Sequence, residues 1–267
     1  MQSFKMGPME IINYYYYELA DPRIRDWFFM NSIWYLIIIT LIYILMVFKL
    51  APAYMKNRPA YKLNTYIKCY NLFQIFSNAY IVINISLCYP FLRSFECRPI
   101  VYNTDPCSMM IVKCAYIGMF LKLIDLSETV VFILRKKNNQ VTFLHLYHHL
   151  STFIISSIFS RYISVDVVML GPILNCSVHV IMYFYYFLSN FEGPIKQMII
   201  SFKRYMTLIQ MGQFVIVLVQ ISVIMIPGCE KLPKFFVYTM FVNVIFNFCL
   251  FYRFYKKTYI ISIKKKN

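Results

Sequence analysis

Seven apolar runs, each close to the length of a helix that crosses a bilayer, constrain this chain more than anything else in it. They lie at about 31–48, 66–88, 109–134, 142–160, 165–188, 205–226 and 234–254. Roughly 20 helical residues cover the ~30 Å of hydrocarbon in a membrane. The composition agrees: 60% of the 267 residues are hydrophobic and 14% are charged, too apolar for a water-soluble domain of this size. The short alternating segments of a transmembrane barrel are missing, which leaves helices to satisfy the backbone in lipid. The expected fold is therefore all-α: a polytopic membrane protein with seven transmembrane helices, one domain over residues 1–267.

Orientation follows from Lys and Arg, whose excess stays on the cytosolic side. The loop set that includes 49–68, 135–137, 196–204 and 253–266 holds 17 of them, against nine in the opposite set. The C-terminal tail (255–267) is thus expected in the cytosol and the N-terminal segment (1–30) on the exoplasmic, lumenal side. Residues 1–30 mix polar and aromatic side chains without the pattern of a cleavable signal, so the first span is expected to direct insertion.

The net charge of +16 does not read as nucleic-acid binding, because the basic residues sit beside span ends and no basic domain or nucleic-acid motif carries them. Some of them can meet anions: "LRKKNNQ" (134–140) offers adjacent cations that suit phosphates or lipid headgroups. Lys264, Lys265 and Lys266, just before the C-terminal Asn267, fit a dilysine address for the endoplasmic reticulum. Of the eight cysteines, Cys97, Cys107 and Cys229 fall in loops on the oxidising side. The preferred disulfide is Cys97 with Cys229.

Ionisable groups inside spans are costly and tend to be functional. Nine of the 11 acidic residues lie in the N-terminal segment, in loops or, like Asp166, at the edge of a run; that leaves Asp125 and Glu128, in "KLIDLSET" (122–129). Lys122, Asp125 and Glu128 are three apart and share one helical face, with Lys122 paired to Asp125. Such a pair can also simply hold helices together. Three of the four histidines lie in "HLYHHL" (145–150): His145, His148 and His149 stand at i, i+3 and i+4, again on one face. The fourth, His179, lies in "NCSVHVIMYFYY" (175–186), with Asn175 a turn before it and Tyr186 two turns after. Thr207, Gln210 and Gln213 repeat the spacing of three in "TLIQMGQF", suited to hold imidazoles or a substrate carbonyl.

Membrane histidine clusters serve either metals or acid, base and nucleophile chemistry. Four histidines are too few for the di-iron centre of membrane desaturases and hydroxylases, which draws on about eight in several boxes. One zinc held by imidazoles is arithmetically possible, which makes a zinc-dependent membrane hydrolase the alternative. An imidazole can instead attack a thioester or remove a proton, with Asp125 and Glu128 orienting the rings.

Taken in order, "KLIDLSET", "HLYHH", "HVIMYFYY" and "TLIQMGQF" resemble the motifs K-x-x-E-x-x-D-T, H-x-x-H-H, H-x-x-M-Y-x-Y-Y and T-x-x-Q-x-x-Q of the fatty acid elongases, the very-long-chain 3-oxoacyl-CoA synthases of the endoplasmic reticulum. The likeness extends to "DPRIRDW" (21–27), "KNRPAYKLNTYIKCYN" (56–71), "LRKKNNQVTFLH" (134–145) and the Cys97 and Cys229 loops. One departure stands in the first motif, where Asp125 precedes Glu128 and each acid has replaced the other. Ser127 adds a hydroxyl there.

The resemblance implies a helical bundle enclosing an acyl-chain tunnel, and condensation of a long-chain acyl-CoA with malonyl-CoA to 3-oxoacyl-CoA, CoA and carbon dioxide. It implies an acyl-imidazole on His148, proton transfer or malonyl stabilisation by His179, and a constellation completed by His145 and His149. Lys122, Asp125 and Glu128 would orient the histidines, and Gln210, Gln213 or Tyr186 would stabilise an oxyanion. Lys136, Lys137 and Lys203 are the candidates for CoA phosphates. No metal or further cofactor is implied. The expected partners are the two thioester substrates, the bilayer and the other enzymes of the elongation cycle.

Overall fold

The computed structural model describes residues 7–96, 100–226 and 232–261. The chain is all-helical, with no strand among the described residues. Among the described residues there are seven long helices: α1 (Ile33–Met55), α2 (Asn64–Cys88), α3 (Pro106–Leu134), α4 (Phe143–Tyr162), α5 (Leu170–Ser189), α6 (Lys203–Ile224) and α7 (Lys234–Tyr255). By length and apolar composition, five of them, α1, α2, α5, α6 and α7 with its extension to Ile261, are able to cross a membrane. The chain is a multi-pass membrane protein. Helices α3 and α4 are as long, but they carry the charged and histidine-rich stretches, which lower their hydropathy.

Local chemistry sets several helix ends. Asp105 caps α3 by accepting from the amides of Cys107 and Ser108, both at 3.1 Å, and Pro106 fills the first helical position. Thr142 caps α4 by accepting from the His145 amide at 3.2 Å. In α1 the helix opens into a π-helical turn over Met46–Leu50 just before Pro52, a residue with no N–H to give to the ladder. At the end of α3, Lys136 takes φ 52° while the Lys137 amide reaches back to Phe132 O at 2.9 Å. That left-handed position is one glycine usually fills.

Six helices neighbour one another in a closed cycle: α2, α3, α4, α7, α6, α5 and back to α2. Helix α1 lies outside this ring against α3 and α4. Three apolar clusters hold the arrangement. Tyr43, Val47 and Met55 of α1 meet Met119 and Leu126 of α3 and Phe153 of α4. Ile81 and Ile85 of α2 meet Ile111 and Leu121 of α3, and Phe214 and Ile221 of α6 meet Val244 of α7. In lipid these contacts gain close packing rather than release from water, so polar bonds between helices matter more than in a soluble bundle. Outward-facing Trp34, Leu41, Phe48, Phe76, Leu87 and Val242 are exposed, as lipid contact requires.

The N-terminal segment folds against the far end of α4. Arg161 gives its guanidinium to the carbonyls of Tyr16 and Met30 and lies over the Tyr16 ring, while the Asp21 amide bonds Arg161 O at 2.9 Å. Beside it, buried Arg23 and Asp21 pair at 2.6 Å. At the same end of the molecule, Cys88 at the end of α2 is disulfide-bonded to Cys107 at the start of α3. The expected Cys97–Cys229 bridge lies outside the described residues. Cys69, Cys114, Cys176 and Cys249 are free thiols within helices.

Candidate active site

Of the polar residues singled out in the spans, Lys122, Asp125, Glu128, His149 and His179 are joined in one network between α3, α4 and α5. Asp125, 2% exposed, stands at the centre. Its Oδ2 pairs with Lys122 Nζ at 3.3 Å, as the spacing of three on α3 anticipates. Its Oδ1 accepts from Gln74 Nε2 at 2.6 Å, Tyr183 Oη at 3.0 Å and Tyr70 Oη at 3.1 Å. Three helices therefore converge on one carboxylate. A buried carboxylate at this depth is tolerable only with such a set of partners.

The Tyr183 hydroxyl also reaches Glu128 Oε1 at 2.7 Å, and Glu128 Oε2 stands 3.7 Å from His149 Nε2. On the other side, Lys122 Nζ lies 3.2 Å from His179 Nδ1. Contacts thus run unbroken from His179 through Lys122, Asp125, Tyr183 and Glu128 to His149. Within it, the carboxylate nearest a histidine is Glu128.

The three α4 histidines have different surroundings. His148 puts Nδ1 3.1 Å from Asn247 Oδ1 of α7. His149 faces Glu128, and its ring centre is 4.1 Å from that of His145. His145 turns towards the outer helix: its Nε2 is 2.9 Å from Thr129 Oγ1, which in turn is 2.8 Å from Tyr43 Oη of α1. His145 therefore joins α1, α3 and α4, and its link to the polar network is through the His149 ring.

The α6 residues contribute less than expected. Gln210 donates to Met182 Sδ at 3.3 Å, and Gln213 is buried with Oε1 unpaired. Neither bonds an imidazole. Thr207 is buried, Asn175 is half-buried on α5 and Tyr186 is exposed, its ring packed on Tyr183 and Tyr185. Lys136, Lys137 and Lys203 are exposed, the first two in the turn after α3 and the third at the start of α6. Among the described residues, no three His, Cys, Asp or Glu side chains converge as a metal site requires, so the zinc hydrolase reading has no ligand set there.

Sequence reasoning passed over five partners in this site: Tyr70, Gln74, Tyr183, Asn243 and Asn247. Two signals point to some of them. Asn71, Gln74 and Asn78 form a polar stripe at spacings of three and four in an apolar run, and all are buried. Asn243 and Asn247 repeat the spacing of four on α7, and Asn247 is 1% exposed.

Comparison with known proteins bears on what such a site does. A family model described as "ELO: GNS1/SUR4 family" matches residues 28–267. The chain is 34% identical over 269 residues to very long chain fatty acid elongase 1 of Mus musculus, covering 94% of this chain and 91% of that protein. It is 38% identical over 231 residues to very long chain fatty acid elongase 1 of Homo sapiens, covering 80% and 78%. With very long chain fatty acid elongase 4 of Mus musculus it shares 33% over 244 residues, covering 91% and 77%.

Proposed function

The chain belongs to the ELO: GNS1/SUR4 family, and from that membership we propose that it is a condensing enzyme of fatty acid elongation, a very-long-chain 3-oxoacyl-CoA synthase. The observation that carries the chemistry is a largely buried, connected string of two imidazoles, one lysine, one tyrosine and two carboxylates inside the ring of helices. Groups of this kind are expensive at membrane depth and are kept where they act.

In the proposed reaction His148 Nε2 attacks the carbonyl carbon of a long-chain acyl-CoA thioester. The C–S bond breaks, the sulfur leaves with the electron pair and takes up a proton as CoA, and the acyl group stays on the imidazole. Malonyl-CoA then loses carbon dioxide, and the freed electron pair makes an enolate carbon that attacks the acyl carbon. The imidazole departs with its own pair. One proton is consumed, and the products are 3-oxoacyl-CoA, CoA and carbon dioxide.

His179 suits the second half-reaction. Lys122 Nζ, which has only protons to offer, lies 3.2 Å from Nδ1 and 3.5 Å from Nε2; with the nearer nitrogen as acceptor, Nε2 carries the hydrogen. That N–H can meet the developing enolate oxygen. Gln213, Gln210, Tyr186 and Asn175 are candidates for the substrate's polar groups, and Gln213 keeps an unpaired buried oxygen. The chemistry asks for no metal or further cofactor.

We read all seven long helices as spanning, with the acyl tail in a tunnel inside the ring and the CoA phosphates at Lys136, Lys137 and Lys203 on the cytosolic rim. The closed cycle of helices favours an enclosed tail. The Cys88–Cys107 bridge favours a lumenal α2–α3 connection, because disulfides persist in oxidising compartments. The N-terminal segment would then be lumenal, the C-terminal tail cytosolic, the location the endoplasmic reticulum membrane, and the partners the other enzymes of the elongation cycle.

The test is intact mass spectrometry after incubation with a long-chain acyl-CoA alone. The expected result is an acyl-sized mass gain, discharged by malonyl-CoA with formation of 3-oxoacyl-CoA and missing in His148→Ala. Product formation at the wild-type rate by His148→Ala would sink the reading.

A further inference from the structure

The nucleophile assigned to His148 needs one ring nitrogen bare and aimed at the thioester, and nothing on α4 or in the lysine–carboxylate string decides which nitrogen that is. The answer lies on α7. Asn247 Nδ2 is 2.9 Å from the backbone carbonyl of Asn243, one turn earlier, and 3.2 Å from Asn243 Oδ1. A backbone carbonyl can only accept, so this contact fixes which end of the Asn247 amide carries the hydrogens. The Asn243 side chain is pinned in turn, since its Oδ1 accepts from Tyr147 Oη of α4 at 3.1 Å. The Asn247 oxygen is therefore the atom that faces His148, 3.1 Å from Nδ1. An amide oxygen can only accept, so Nδ1 bears the proton and Nε2 holds the lone pair.

We propose that Asn247, locked by Asn243, is the positioning residue that holds His148 as its Nδ1–H tautomer and so presents a bare Nε2 to the acyl thioester. The inference rests on the elongase reading for its consequence, and on the geometry of α4 against α7 for its cause. Asn247 touches neither substrate nor reacting carbon; it acts through the ring. Its neutrality matters as well. A carboxylate in its place could take the Nδ1 proton once the ring is acylated, whereas an amide oxygen leaves it there. The acyl group then sits on a cationic imidazole, the better leaving group when the enolate attacks. Asn247 is buried, so water does not compete for the bond.

The full-length protein in lipid nanodiscs, with ¹⁵N-labelled histidine, gives the direct readout. His148 is assigned by subtracting the spectrum of His148→Gln. The wild type is expected to show a protonated Nδ1 and a bare Nε2, and Asn247→Leu, which keeps the volume and removes the acceptor, to lose that tautomer. Release of CoA from a long-chain acyl-CoA in a single turnover is the second readout. Asn247→Leu is expected to be about tenfold to a hundredfold slower, the effect of one buried hydrogen bond together with the wrong tautomer, with KM for acyl-CoA unchanged. Asn247→Asp keeps the acceptor, and its CoA release is expected to stay within about tenfold of wild type, a rescue that a purely structural role would not produce.

A bare Nδ1 in the wild type overturns the proposal whatever the activity. So does a full rate of CoA release in Asn247→Leu, or an equal loss in Asn247→Leu and Asn247→Asp. The correct tautomer in a wild type that releases no CoA from a long-chain acyl-CoA, with or without malonyl-CoA, overturns the elongase reading instead, so the two failures are told apart. If Asn247→Leu does not fold, the wild-type tautomer and the rate of Asn247→Asp still decide the matter.

Discussion

Asp125 shows how much of this site depends on single partners. Several groups surround or reach it, yet only Lys122 carries the opposite charge. Replacing Lys122 with Met leaves a buried carboxylate without a cation, a loss of roughly 3–5 kcal/mol. Adding Asp125→Asn removes the stranded charge, so the double variant is expected to unfold at a higher temperature than Lys122→Met alone. Thermal unfolding in detergent measures both. An additive pair of losses would mean that the two side chains do not depend on each other. The pairing of Lys122 with Asp125 is legible in the sequence because both lie on one helix, where spacing dictates contact. The contacts of Tyr183, Gln74 and Asn247 are not, because they cross between helices distant in sequence. Nor does the motif show that His145 turns to Thr129 and Tyr43 while His148 turns to Asn247. Three histidines on one face still point to different neighbours.

At the scale of elements, the two ends of α3 make opposite demands. Lys136 holds φ 52°, a conformation that costs a side-chain-bearing residue roughly 1 kcal/mol relative to glycine. Lys136→Gly is therefore expected to melt at a higher temperature than wild type. If the cation also meets CoA phosphate, the same variant raises KM for acyl-CoA, so stability and binding move in opposite directions. At the other end, the bonds of Ser108, its side chain foremost, together with the Cys107 amide, hold Asp105 below the ordinary carboxylate value of 3.8. A depressed pKa means that the stabilising effect is fully present above 3.8 and is lost as pH falls through the lower folded value. The difference in melting temperature between wild type and Asp105→Ala should hold steady at neutral pH and close in acid. The cap is legible in "TDPCS" itself, where Asp stands directly before Pro. The bounds of α3 and α4 likewise lie close to their apolar runs. The π-helical turn in α1 has no marker except Pro52.

For the whole molecule, the seven long helices follow the seven runs, but the cyclic order α2, α3, α4, α7, α6, α5 cannot be read from them. Hydropathy marks which stretches enter the membrane and is silent on which neighbour each one meets. The Cys88–Cys107 bridge tests both the topology and the packing. It closes a loop between residues 19 apart, and its loss in Cys88→Ser is expected to cost about 3 kcal/mol. A melting temperature equally insensitive to that substitution and to reductant would argue that this end does not face the lumen. The cycle itself has a consequence for how the protein is made. Synthesis runs from the N-terminus, and the ring closes only where α7 meets α4. Until α7 leaves the ribosome, the nascent chain is an open arc with His148 of α4 on its unsealed side. A message cut short before codon 234 thus yields a chain whose lysine–carboxylate string is already joined while His148 stands without Asn247, so α7 finishes the nucleophile's surroundings in the same step that closes the ring.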